Sequence, residues 1–338
     1  MKMNQEKVLV TGASGYIALH CISELLKEGY KVKGSLRDLN REDEVKKSIS
    51  AEFENEKLEF CKLNLLDNEG WEDAASDCDY LLHIASPCFI EEPKNENELI
   101  VPAVEGTLRA LKACQKSKVK KIVLTSSMGA IAYGHNKNTC DNNDWTDISK
   151  DVGAYIKSKT IAEKTAWDFV NNQSSKTFKM TTIHPGMVFG PLLNNDKEVM
   201  SASLIKKMIN GEFPALPDIY FTVVDVRDIA KIHVQSLKNR GSDQKRIIAT
   251  SKKGISLLEI SKILREVGFN NSPHLLIPSQ VINALAMFNK DMKRTASMIK
   301  RGCYEADISE TISLYGWEPI PFKKTMEDMT NSLKNKSL

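Results

Sequence analysis

The sequence predicts a doubly wound α/β protein: a parallel sheet covered by helices on both faces, with a smaller, mostly helical C-terminal lobe. Three observations predict it. Short, nearly unbroken apolar runs alternate with amphipathic stretches through the first 186 residues. A glycine-bearing turn sits directly between the first apolar run and the first amphipathic stretch. After residue 186 the rhythm changes and helical patterns dominate. Strands buried on both faces lose the polar–apolar alternation of half-exposed ones, so continuous apolar runs point to a helix-covered parallel sheet.

The elements follow in order. KVLVTG (7–12) is a first strand, and YIALHCISELLKEG (16–29) is a helix. YKVKGSL (30–36), LEFCKLNL (58–65) and DYLLHIAS (79–86) are the next three strands, followed by a long helix over about 97–117. KKIVLTSS (120–127) is the fifth strand, GAYIKSKT (153–160) opens another helix, and FKMTTIHP (178–185) is the sixth strand. Six such units suggest a Rossmann sheet. GPLLNNDKE reads as a loop, with helices expected at about 197–210, 227–239, 256–267 and 323–335. YFTVVDV (220–226) and KRIIAT (245–250) look like late strands that extend the sheet. The expected division is a dinucleotide-binding domain over 1–186, with 220–250 returning to its sheet, and a substrate lobe over 187–338. The acidic run EEPKNENE (91–98) reads as a solvated loop entering a helix.

Composition excludes several classes. The 338 residues carry 47 Lys plus Arg against 44 Asp plus Glu, a net charge of +3 without the basic excess of a nucleic-acid binder. Apolar runs such as 281–288 fall far short of the roughly 18 residues of a membrane span. The opening MKMNQEKVLVTG passes from a short polar lead straight into a strand, which is not the pattern of a secretory signal. Seven widely spaced cysteines without a C-x-x-C pair suggest reduced thiols, and a soluble cytoplasmic protein is expected. The six histidines form no close pair, so no metal is expected, and His83 and His184 beside apolar strands read as structural.

The chemistry begins at Thr11-Gly12-Ala13-Ser14-Gly15-Tyr16-Ile17-Ala18, between first strand and first helix. Gly12 allows a tight turn. Gly15 lets backbone approach a pyrophosphate at the helix N-terminus, where amides and the helix dipole favour an anion, and Ala18 fills the third small position. In a site of this kind the end of the second strand meets the adenosine ribose. Here GSLRD places Leu36 and then Arg37 where an acidic residue would bind the NAD ribose. A guanidinium suits the 2′-phosphate of NADP through paired charge-assisted bonds, so NADPH is the expected cofactor. Arg41 and Lys46 add positive potential nearby or are simply exposed helix charges, and Asp38 is the competing acidic residue.

The octapeptide GAYIKSKT supplies the second half. Residues four apart share one helix face, so Tyr155 and Lys159 project together while Lys157 points elsewhere. A phenol with an ordinary pKa near 10 becomes a useful acid–base group only beside a cation, and Lys159 can be that cation.

The spacing G-x-x-G-x-x-A after Thr11, with Tyr155-x-x-x-Lys159, resembles the extended short-chain dehydrogenase/reductase superfamily. Within it the chain is most similar to the dihydroflavonol-4-reductase and aldehyde/ketone reductase group. The carrying segments are GYKVKGSLRD (29–38), HIASP (83–87), PAVEGTLRALKAC (102–114), TSSMGA (125–130), YIKSK (155–159), HPGMVFGP (184–191) and VDVRDIAKIH (224–233). The resemblance implies an NADPH-dependent reductase of aldehydes or ketones, with Tyr155 as proton donor, Lys159 holding the nicotinamide ribose, and Ser127 orienting the carbonyl. Ser126 is the alternative, because alternation lets only one of the pair face the cleft. It implies a cofactor site of Thr11, Gly12, Ser14, Gly15, Tyr16, Ile17, Arg37, Asn64, Leu65, Ala85, Tyr155, Lys159, Pro185 and Val188. The partner is a small-molecule carbonyl or alcohol substrate, and a homodimer through helices flanking the sheet is left open.

Two departures matter. Asn64-Leu65 stands where the group has Asp-Leu near the adenine amino group, and an amide oxygen can still accept that bond. Ala132 replaces an asparagine that helps the plant enzymes hold a flavonoid, which argues against a flavonoid substrate. A nucleotide-sugar epimerase or dehydratase retaining NAD, and a non-catalytic NADPH-sensing regulator, are the rival readings. Leu36-Arg37 argues against the first, and the intact tyrosine–lysine pair against the second.

Overall fold

The structure is a computed structural model that describes residues 6–49, 57–88, 93–172, 177–194 and 199–335. Glu91 and Glu92 of the acidic run, and 195–198 of the loop after the sixth strand, lie outside the described residues.

The first half alternates as its apolar rhythm dictates: β1 (Lys7–Val10), α1 (Tyr16–Lys27), β2 (Lys31–Leu36), α2 (Glu42–Ser48), β3 (Leu58–Lys62), α3 (Trp71–Ser76), β4 (Tyr80–His83), α4 (Asn97–Gln115), β5 (Lys121–Thr125), the short β6 (Thr139–Cys140), α5 (Ala154–Asn171) and β7 (Lys179–Pro185). The chain continues through β8 (Met187–Phe189), α6 (Met200–Ile209), β9 (Tyr220–Phe221), β10 (Val223–Asp225), α7 (Val226–Ser236), β11 (Lys245–Ala249), β12 (Ile255–Ser256), α8 (Leu257–Glu266), α9 (Ser279–Leu285), α10 (Lys290–Arg301), β13 (Glu305–Ala306), α11 (Ser309–Tyr315) and α12 (Phe322–Asn335).

The main sheet has seven parallel strands in the order β3-β2-β1-β4-β5-β7-β11. Alternate residues of each strand feed two cores. Val8, Val10, Leu82, Val123 and Ile183 pack toward α1 and α7, where Leu19, Ile22, Ile229 and Ile232 meet them. Leu9, Leu81, Ile122, Leu124 and Met180 pack toward α3, α4 and α5, against Trp71, Leu111, Ala166 and Val170. Truncating one such fully buried leucine, Leu81 for example, costs about 2–5 kcal/mol. A third core joins α6, α8 and α12 through Ile205, Ile260, Met326 and Met329, and forms the C-terminal lobe.

One expected strand behaves differently. KRIIAT adds the seventh sheet strand, whereas 220–226 splits between two small sheets, β9 with β12 and β10 with β8. The cause lies at Gly186. A Cβ there would stand 2.0 Å from Thr250 Oγ1 and 2.3 Å from the Thr222 carbonyl oxygen, so only glycine lets these backbones touch. Beyond it the chain leaves the sheet as β8 and takes β10 with it.

The sheet order reverses between β1 and β4, so the carboxyl ends of β1, β4 and β5 open onto one crevice. Thr11, Ala85 and Ser127 follow these strands, and Pro185 ends β7, the next strand beside β5.

Candidate active site

Gly12 has φ +70°, and a Cβ on it would press within 3.1 Å of Ala85, so the turn needs glycine and lies directly against the end of β4. Ala13 N–H donates to the Ser35 carbonyl at 2.9 Å and Gly12 N–H to Ser35 Oγ at 3.1 Å, which ties the turn to β2. Gly15 caps α1 without a side-chain hydrogen bond. The amides of the first helical turn have no acceptor within their own helix, which leaves them for an anion. This is the arrangement a dinucleotide pyrophosphate fits. Tyr16 and Ile17 offer it backbone, since the Tyr16 hydroxyl donates to the Gly190 carbonyl at 2.9 Å.

Thr11 is a structural clamp. Its Oγ1 accepts from the amides of Ile84 and Ala85 at 3.0 Å each and contacts His83 Nδ1 at 3.0 Å. Having accepted twice, the hydroxyl gives its one proton to Nδ1, so His83 carries its own proton on Nε2. Burial and the nearby Lys159 charge hold His83 down to about 3, and it stays neutral. Nε2 is buried without a hydrogen-bonding partner among the described residues.

At the adenosine end, Arg37 is exposed beyond β2. Asp38 uses its carboxylate to accept the Asn40 amide at 3.0 Å, capping the turn of 39–41. Arg41 reaches the phosphate turn by donating to Ser14 Oγ at 3.2 Å, while Glu44 takes its Nε and Nη2 at 2.9 and 3.0 Å. Lys46 pairs instead with Glu42. The exposed Asn64 turns its side-chain oxygen to the Leu66 amide at 3.1 Å, and Leu65 packs beneath α4 at Gly106.

The end of β5 separates the two serines. Ser126 is buried and donates to Glu163 Oε2 at 2.6 Å, behind the cleft. Ser127 is half-buried, caps the short 128–130 turn by accepting from the Gly129 amide at 2.9 Å, and hydrogen-bonds with Tyr155. Its hydroxyl proton is turned to the Tyr155 oxygen, so the two hydroxyls meet at one spot in the cleft. Burial pushes the Tyr155 phenol well up, the Cys88 thiol adds to this, and Ser127 opposes it. Lys159, buried on the same helix face, donates to the Thr125 carbonyl at 3.2 Å, and burial pulls it down to about 8 against the pull of Cys88 and Glu163. Lys157 points the other way and pairs with Glu96 at 2.8 Å. Pro185 ends β7 in the core and Val188 lies half-buried in β8, at the junction of sheet and lobe.

One group escaped the sequence. Glu163 lies on the buried face of α5, four residues after Lys159, and a carboxylate there demands buried partners. Arg41 reads in the sequence as nearby positive charge or an exposed helix residue, and only the fold carries it back to Ser14.

The family model for the NAD dependent epimerase/dehydratase family matches residues 8–249. The chain is 36% identical over 281 residues to a cinnamoyl-CoA reductase of Medicago truncatula, covering 81% of this chain and 83% of that one. It is 30% identical to a putative NADPH-dependent methylglyoxal reductase of Candida albicans, over 95% of this chain and 96% of the relative. The crystal structure of yeast methylglyoxal/isovaleraldehyde reductase Gre2 complexed with NADPH superposes with a TM-score of 0.81 at 27% identity, covering 98% of this chain and 99% of that one.

Proposed function

The chain belongs to the NAD dependent epimerase/dehydratase family, and we propose that within it the protein is an NADPH-dependent reductase of aldehydes or ketones. The observation that carries this reading is the convergence of Ser127 and Tyr155, joined by a hydrogen bond, one helical turn from Lys159. Likeness over almost the whole chain to NADPH-dependent methylglyoxal reductases supports it.

NADPH, when bound, supplies the hydride. The Gly12–Ile17 turn binds the pyrophosphate through backbone amides, and Arg37 faces the 2′-phosphate. Lys159 holds the nicotinamide ribose, while backbone from Pro185 to Val188 borders the carboxamide. Ser127 and Tyr155 donate to the carbonyl oxygen, and Tyr155 gives up its proton as charge develops there. The Ser127 hydroxyl opposes the upward push of burial on the phenol.

Residues 1–186 form the cofactor domain and 187–338 the substrate lobe, with β11 crossing back into the sheet. The seven free cysteines suit a reducing cytoplasm, and no helix among the described residues is long and apolar enough to cross a membrane. A homodimer through helices flanking the sheet belongs to the same reading and is checked by light scattering.

The deciding experiment is an NADPH-oxidation screen over aldehydes, 2-oxoaldehydes, ketones and β-keto esters. Turnover with at least one class is expected. Stoichiometric NAD released from the purified protein, with no turnover in the screen, would point to an epimerase or dehydratase instead.

A further inference from the structure

Glu163 takes no part in the steps above, yet it is 1% exposed and held by five side chains. Ser126 Oγ and His184 Nε2 donate to its Oε2 at 2.6 and 2.8 Å. Arg246 Nε, Trp167 Nε1 and Thr182 Oγ1 donate to its Oε1 at 2.7, 3.1 and 3.2 Å. Arg246 is itself fixed, stacked 3.7 Å over the Trp145 ring and donating to the carbonyls of Asn142 and Asp144 at 2.8 and 2.6 Å. These donors gather the ends of β5, β7 and β11 on one carboxylate of α5.

Stability alone does not explain such a hub. Taking a carboxylate and a guanidinium out of water costs several kcal/mol per ion, and an apolar replacement of a buried pair is often neutral or stabilising. The neighbours on this face of α5, Ala162, Ala166 and Val170, show that the position could be apolar.

The other side of Glu163 faces the reaction. It borders a cavity of about 10 Å³, room for one water, which Lys159, Ser126, Thr125, His83 and Thr107 also line. Among the described residues, the charged and titratable groups facing Lys159 are Glu163 from α5, Cys88 beyond β4, and His83 from β4, with Tyr155 one helical turn away on α5. Tyr155 and Cys88 are protonated near neutrality, each raised by burial, and His83 is neutral. Glu163 is therefore the one fixed negative charge in this set. Arg246 and His184 approach it from behind, since neither lines the cavity.

We propose that Glu163 is a positioning residue. By accepting from Ser126 it turns the serine pair so that Ser127 faces Tyr155, and its negative charge across the cavity favours the Lys159 cation. This rests on the reading of Ser127, Tyr155 and Lys159 given above.

The test compares the full-length parent with Glu163→Gln, Glu163→Asp and Ser126→Ala in NADPH-dependent carbonyl reduction from pH 6 to 9.5. NADPH fluorescence titrations and thermal midpoints are taken on the same samples. Glu163→Gln should lose activity by a factor that grows with pH, from about threefold at pH 6 to about ten- to thirtyfold at pH 9, with the alkaline limb moved down by about half a unit to one unit. Glu163→Asp should keep the limb and lose kcat through its shorter reach to Ser126. Ser126→Ala should likewise keep the limb. Parallel pH profiles for parent and Glu163→Gln would reduce Glu163 to a structural role, and so would a Glu163→Asp enzyme as fast as the parent. If Glu163→Gln fails to fold, kcat of Glu163→Asp decides: a loss at unchanged NADPH affinity and thermal midpoint supports the role, and a parent-like kcat overturns it. If the parent reduces no carbonyl, the functional reading fails by itself. Glu163 is then judged from NADPH binding, which should weaken with rising pH more steeply in Glu163→Gln than in the parent.

Discussion

Removing Arg37 should collapse the preference for NADPH over NADH. The side chain is exposed at the end of β2, and no hydrogen bond or ion pair ties it to another described residue. Among the described residues none competes with a phosphate for it. A charge-assisted hydrogen bond is worth about 1.5–3 kcal/mol, and an exposed location keeps the value at the lower end. At about 1.4 kcal/mol per decade, kcat/KM for NADPH should fall about tenfold in Arg37→Ala. The loss should lie mainly in KM, because the adenosine end is remote from the transferred hydride. Arg41 is already engaged by Glu44 through two bonds, so Arg41→Ala should cost only about threefold. The assay is initial-rate kinetics with NADPH and with NADH at one saturating carbonyl, repeated at high salt, which should imitate part of the loss in the parent by screening. NADH kinetics should hardly change in either variant. A parent that prefers NADH, or an Arg37→Ala that weakens both cofactors equally, refutes the reasoning.

Further outcomes are expected. Tyr155→Phe should lose at least about a hundredfold in kcat, the scale of a proton donor, while NADPH binding by fluorescence changes little; activity within tenfold of the parent would remove Tyr155 from that role. Lys159→Ala should damage both NADPH affinity and kcat, whereas Lys157→Ala, which loses only the exposed pair with Glu96, should leave both nearly unchanged. The reverse pattern would overturn the placement of the helix. Acid should destabilise the fold early, because buried His83 and His233 are held from 6.5 to about 3 and about 4. Between those values and 6.5 the unfolded chain binds protons that the folded chain refuses, so stability is full above 6.5 and is lost as pH falls. The loss at pH 5 is about 2 kcal/mol per histidine. Thermal midpoints that stay level from pH 7 to 5 would contradict it.

The sequence by itself determined the parts of this protein whose geometry is local. A glycine turn between a strand and a helix orients its own amides, and Tyr155 and Lys159 four residues apart must share a helix face wherever that helix packs. Short, nearly unbroken apolar runs separated by amphipathic stretches likewise declare buried parallel strands, because helices cover such strands on both faces. The tertiary structure decided what depends on residues distant along the chain. Ser126 and Ser127 are indistinguishable in TSSMGA, and they part only because Glu163, 37 residues on, captures the first. Asp38 and Arg37 compete on paper for the ribose, and the structure shows only that the Asp38 carboxylate accepts from the Asn40 amide as the cap of the turn at 39–41. The strand-like 220–226 has the composition of a sheet member. It is diverted because β7 ends at a glycine pressed against Thr222 and Thr250, a contact across 64 residues that no periodicity encodes. Hydrogen-bond partners of buried charges are chosen by which strands the sheet order makes neighbours, and the sheet order is a property of the whole chain.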